Sequence, residues 1–112
     1  MLQRVYIQIL DNPAEESIDP SGNIEEAEAN KFLAEELKEE LNHFYPYVVS
    51  VEYIDLFMDD ERAFPEIREL LRHGAINTPV ILINGVPKIY GGIPPAVIRK
   101  EVEKLLSTGL VH

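Results

Sequence analysis

Val5, Ile7 and Ile9 alternate with Tyr6, Gln8 and Leu10 near the start of the chain, and β-branched residues on a period of two predict a strand buried chiefly on one face. From Asp11 to Asn23 come two prolines, one glycine and four acidic residues, the composition of an exposed loop. A helical period then runs from about Asn23 to Phe44, with Leu33, Leu37, Leu41 and Phe44 on one face and glutamates over the rest. Pro46 opposes its continuation. Phe32 lies off that stripe; we expect it to rest on the preceding loop, the alternative being an exposed aromatic for a partner.

The next run, Val48, Val49, Val51, Tyr53, Ile54, Leu56 and Phe57, is almost continuously apolar and reads as a central strand covered on both faces. A strand, a helix and a strand in this order form a right-handed crossover. After the polar connection from Met58 to Arg62, the residues Phe64, Ile67, Leu70 and Leu71 predict a short helix with Pro65 in its first turn, closed by His73-Gly74. Val80 to Ile83 is a third, buried strand. Asn84-Gly85 supplies a hairpin turn, and Val86 to Tyr90 returns as a fourth strand, placed at an edge by Pro87. Pro94 and Pro95 suit a helix start, with Val97 or Ile98, Val102, Leu105 and Leu106 on its apolar side and Ser107-Thr108-Gly109 as its end. The order β-α-β-α-β-β-α predicts an α/β fold, a mixed four-stranded sheet with helices on both faces.

Composition narrows what such a fold can do. A chain of 112 residues, 46% of them hydrophobic, suits one domain spanning residues 1–112. Ten Lys plus Arg against twenty Asp plus Glu leave a net charge of -10, which repels polyphosphates and argues against nucleic acid as a partner. The alternating N-terminus lacks the unbroken apolar stretch of a signal peptide, and no segment approaches the roughly 20 apolar residues of a membrane span. The expectation is a soluble, cytoplasmic protein that does not engage membranes. There is no cysteine, which removes disulfides, thiolate metal sites and thiol nucleophiles.

The run Thr78-Pro79-Val80-Ile81-Leu82-Ile83-Asn84-Gly85 followed by Gly91-Gly92 resembles the thioredoxin superfamily, and Thr78 to Gly92 is most similar to glutaredoxins. The stretch Tyr53-Ile54-Asp55-Leu56 and the general layout also resemble, more loosely, small thioredoxin-like proteins of the YuzD type. The resemblance implies a thioredoxin-like fold in which Pro79 follows a cis peptide bond and the backbone beside it pairs with an extended ligand. It also places a reactive cysteine after strand one. Here that stretch is Asp11 to Asn23, and Ser17 and Ser21 have no neighbouring histidine to activate a hydroxyl. The acidic residue that usually follows the double glycine is replaced by Ile93-Pro94-Pro95, which argues against glutathione.

The leading expectation is therefore a non-redox binding or adaptor protein that uses no cofactor. Its partner is a protein or extended peptide held in a groove formed by Asn77, Thr78, Pro79, Gly91 and Gly92, with the Asp11 to Gly22 loop, Asp11 and Asn12 first, as its rim. Two alternatives stand beside it: a thiol-independent enzyme using Ser17 or Ser21, and a structural homodimer joined through strand four or Phe32. Lys88 and Arg99 are candidates to receive an anion, or else balance nearby acids. His43 and His73 suit helix ends. Ser17 to Glu28 has partial calcium-loop spacing but lacks the first aspartate and the preceding helix, so helix capping by Ser21 or Asn23 is the expectation.

Overall fold

The computed structural model describes residues 4–12, 25–58 and 60–110, the side chains of 25–28 and 107–110 excepted. Four strands and three helices follow in the expected order: β1 (Val5–Asp11), α1 (Glu25–Phe44), β2 (Val49–Asp55), α2 (Pro65–Arg72), β3 (Val80–Ile83), β4 (Val86–Tyr90) and α3 (Pro95–Leu110). They form one sheet of order β2-β1-β3-β4, with β1 parallel to β2 and both other pairings antiparallel. This order, with Thr78-Pro79 leading into β3 through a cis peptide bond, is that of a thioredoxin-like fold.

The alternation in β1 sorts its side chains between two cores. Val5, Ile7 and Ile9 pack with Ile81 and Ile83 beneath α1, through Ala34, Leu37 and Leu41, and beneath α3, through Ile98 and Val102. Leu10, Leu56, Val80 and Leu82 pack on the opposite face against Ile67 of α2. Helices thus cover both faces, but α2 has only eight residues and covers one end of its face. Tyr6 and Gln8, on the rest of that face, are exposed and half-buried; the Tyr6 hydroxyl donates to the Glu52 carboxylate.

Several expectations are corrected. β2 is an edge strand, not a central one, although helices reach both of its faces. Phe44 is not in the core: it is exposed and lies under the Arg99 guanidinium, 5.6 Å from the ring centroid. Arg99 also donates to Glu40 Oε1 at 2.8 Å, so it ties α3 to α1. The last helix does not stop at Gly109 but continues to Leu110. A glycine costs about 1 kcal/mol in a helix, too little to end one anchored by buried Ile98 and Val102.

The hairpin follows the sequence closely. Asn84 and Gly85 both adopt positive φ, 51° and 82°, as a two-residue turn matched to strand twist requires. Asn84 is fixed to β1 by a reciprocal pair: its N–H donates to the Tyr6 carbonyl, and its Oδ1 accepts the Tyr6 N–H, both at 2.8 Å. The β3–β4 register shifts between Ile81 and Leu82, skipping Lys88, so a bulge adjoins Pro87 at this edge. Among the described residues no helix is long and apolar enough to cross a membrane.

Candidate functional site

The expected site residues gather at one end of the sheet, where β1 and β2 finish, β3 begins and β4 finishes. The register places them. Leu10 lies opposite Val80, so Asp11 is the next neighbour of Pro79; Val80 lies opposite Tyr90, and the Gly91 N–H donates to the Pro79 carbonyl at 2.8 Å. On the other side Asp11 is beside Asp55.

Burial divides this group into a floor and an accessible layer. Pro79 is buried, while Asn77 and Gly91 are exposed and Thr78 and Gly92 are half-buried. The segment before Thr78 is held from below by Ile76, which packs on the α2 cluster, and by the Ala75 N–H, which donates to the Leu70 carbonyl at 2.9 Å. Among the described residues neither the N–H nor the carbonyl of Thr78 has a hydrogen-bond partner. Among the described residues a Cβ added at Gly92 would meet no atom within 4 Å, so none of them fills the space above this glycine.

Asp11 does not begin a loop and does not form a rim. It is the last residue of β1 and 0% exposed. One carboxylate oxygen accepts the Tyr53 hydroxyl at 2.6 Å, the other accepts the Asn12 N–H at 2.9 Å, and its carbonyl accepts the Leu56 N–H at 2.8 Å. A buried carboxylate needs such donors, because desolvation without them costs several kcal/mol. Asp11 is thus a clamp between β1 and β2. Its position was legible in the sequence: it continues the odd phase Val5, Ile7, Ile9 that packs inward.

Asn12, half-buried, faces a different feature. It lines a depression of about 360 Å³ with Leu56, Phe57, Arg68 and Leu71. Arg68 gives that depression its shape, since its guanidinium donates to the carbonyls of Ala63 at 2.7 Å and Asp60 at 2.9 Å and so fixes the chain before α2. Nearby, the Asp60 carboxylate accepts the Arg62 N–H at 2.9 Å, and this bond, with the Arg62 side chain, holds its pKa below the usual carboxylate value. Neither Phe57 nor Arg68 was marked by sequence spacing as part of a site.

The remaining candidates stand apart. Lys88 is exposed at the β4 bulge, and His73 caps α2, its ring bonding the Glu69 carbonyl at 2.9 Å. His43 meets Phe44 edge-on at the end of α1. Phe32 is exposed, and its expected contact with the preceding loop involves residues outside those described. Ser17, Ser21, Asn23 and the first part of the Ser17 to Glu28 stretch also lie outside them. Among the described residues no three His, Cys, Asp or Glu side chains converge as a metal site.

No protein-family model and no curated protein matches the chain. A solved structure of a protein of unknown function from Staphylococcus aureus, SA0789, is similar in fold: the TM-score is 0.63, with 18% identity over 91% of each chain. Oxidized thioredoxin O2 from Arabidopsis thaliana aligns with a TM-score of 0.48 and 13% identity over 93% of this chain and 76% of its own.

Proposed function

We propose that this chain is a cytoplasmic, non-redox adaptor of thioredoxin-like fold, glutaredoxin-like in its C-terminal third, which holds an extended peptide beside Thr78. What carries the reading is the accessible backbone of Thr78, a donor and an acceptor without partners among the described residues, set between exposed Asn77 and the open space over Gly92. An extended peptide satisfies both groups as a short added strand, with main-chain bonds supplying affinity and flanking side chains supplying selectivity. The chain has no sulfur nucleophile, which favours binding over thiol chemistry as the use of this surface.

The test selects binders from a displayed library of extended peptides and maps them by amide chemical shifts. The expected result is perturbation centred on Asn77, Thr78, Gly91 and Gly92. Gly92→Leu, which fills open space without strain, abolishes binding while the fold is retained. Peptides that shift other surfaces, or bind equally well to Gly92→Leu, overturn the reading.

A further inference from the structure

Two hydrogen bonds fix which way the backbone of β2 points. The Val5 N–H donates to the Val48 carbonyl, and the Leu56 N–H donates to the Asp11 carbonyl, both at 2.8 Å. In a parallel ladder the residues facing the neighbour alternate, so Ser50, Glu52 and Ile54 direct their backbone to β1. The backbone groups of Val49 and Val51 therefore point away from β1, to the side where the sheet has no further strand among the described residues. This edge is seven residues long and contains no proline, lysine or register shift in its pairing with β1. Those are among the devices that blunt exposed edges, another being charge, which β2 carries at Glu52 and Asp55.

A second observation concerns the two ends of the same strand. Tyr47, just before β2, is 92% exposed, and Phe57 and Met58, just after it, are 70% and 78% exposed. Antiparallel pairing of β2 with a second β2 brings the start of one strand against the end of the other. With a twofold axis at Val51, Tyr47 of each copy lies opposite Asp55 of its mate and diagonal to Phe57, a separation an aromatic side chain can span.

We propose that the chain forms a twofold homodimer through β2, joining two sheets into one of eight strands. The registers differ in what they place opposite Glu52. An axis at Glu52 sets two carboxylates face to face, which is destabilising for directly opposed strand residues. An axis at Val51 sets Glu52 across from Ser50 of the second copy, a hydroxyl donor, and sets Val49 beside Tyr53. The axis at Val51 is the arrangement assigned here.

Area supports the same occupant. A strand of seven residues is about 24 Å long and by itself supplies only part of the roughly 800 Å² per partner of a specific dimer. A fully buried aromatic side chain contributes about 150–250 Å², and the assigned pairing adds part of that area from Tyr47 and Phe57 of each copy, which meet diagonally across it. The charge of -10 on each copy opposes association, and salt screens that repulsion, so dimerisation strengthens as ionic strength rises.

Sedimentation equilibrium of the intact chain tests this, with single-cysteine variants reporting register in an otherwise cysteine-free protein. The expected result is a monomer–dimer equilibrium that salt shifts toward dimer. Val51→Pro, or Tyr47→Glu with Phe57→Glu at exposed positions that leave folding intact, weakens it at least tenfold. Val51→Cys cross-links under mild oxidation more readily than Glu52→Cys. A wild-type monomer at every concentration and salt level overturns the proposal. So does a dimer indifferent to the folded Tyr47/Phe57 variant, or one that cross-links preferentially through Glu52→Cys.

Discussion

The two edges of the sheet are treated in opposite ways. β4 carries Pro87, a bulge at Lys88 and side chains that alternate between exposed and half-buried, so it presents an irregular border with a missing donor. β2 is longer and regular, and is fastened inward by the Asp11–Tyr53 clamp, while no strand pairs with its other side among the described residues. Both strands are at edges, yet the proline and the bulge that hinder a further strand are in β4, while β2 carries the charges of Glu52 and Asp55 alone. The contrast moves the expected dimer surface from β4 to β2, and it shows that edge position and edge protection are separate properties of a strand.

The largest effect distinguishes the two sides of β2 itself. Glu52→Pro removes an N–H directed at β1 and leaves its buried acceptor unpaired, which should cost up to about 3 kcal/mol. Val51→Pro, whose lost N–H points outward, should cost about 1 kcal/mol through its side chain. Urea unfolding of both variants measures the difference, and equal losses would break the assigned backbone direction.

A smaller effect measures how firmly the open edge is tied to the centre. Asp11→Ala takes away the acceptor shared by the Tyr53 hydroxyl and the Asn12 N–H, at an expected cost of about 2 kcal/mol. A cycle with Tyr53→Phe should give a coupling of about 1 kcal/mol. Coupling near zero would mean that the clamp does not fasten β2.

The smallest effect depends on pH. The Tyr6 phenol is raised above its ordinary value of 10.0, first because the neutral hydroxyl donates to Glu52. The folded pKa exceeds the unfolded one, so the stabilisation is present below pH 10 and is lost as pH rises through the folded value. Tyr6→Phe should therefore be slightly less stable than wild type near neutrality, with the difference shrinking in strong alkali. A difference that grows with pH would contradict a neutral Tyr6 hydroxyl donating to Glu52 across this solvent-facing β1–β2 pair.

Much of the fold was written in local pattern. Asn84-Gly85 allowed both positive φ angles, Pro65 began α2, and Pro87 marked an edge, because each is a constraint on one residue's own backbone. The site was legible in part. Asn77, Thr78, Pro79, Gly91 and Gly92 do converge, since a hairpin of known length brings its two ends together. Asp11 was misplaced because its charge was weighed above its phase in β1; Arg99 does balance an acid, but Glu40 and the Phe44 ring beneath it lie 59 and 55 positions away and could not be named from spacing.

By itself, then, the chain determined the order of its elements, the hairpin and the absence of thiol chemistry. Only the tertiary structure decided that β1 is central and β2 is at the border. The physical reason is directional. Side-chain pattern reports what covers a strand above and below, whereas a strand's rank in the sheet depends on backbone hydrogen bonds within the plane, perpendicular to the side chains. The apolar run of β2 truthfully recorded helices on its two faces and carried no information about an empty side.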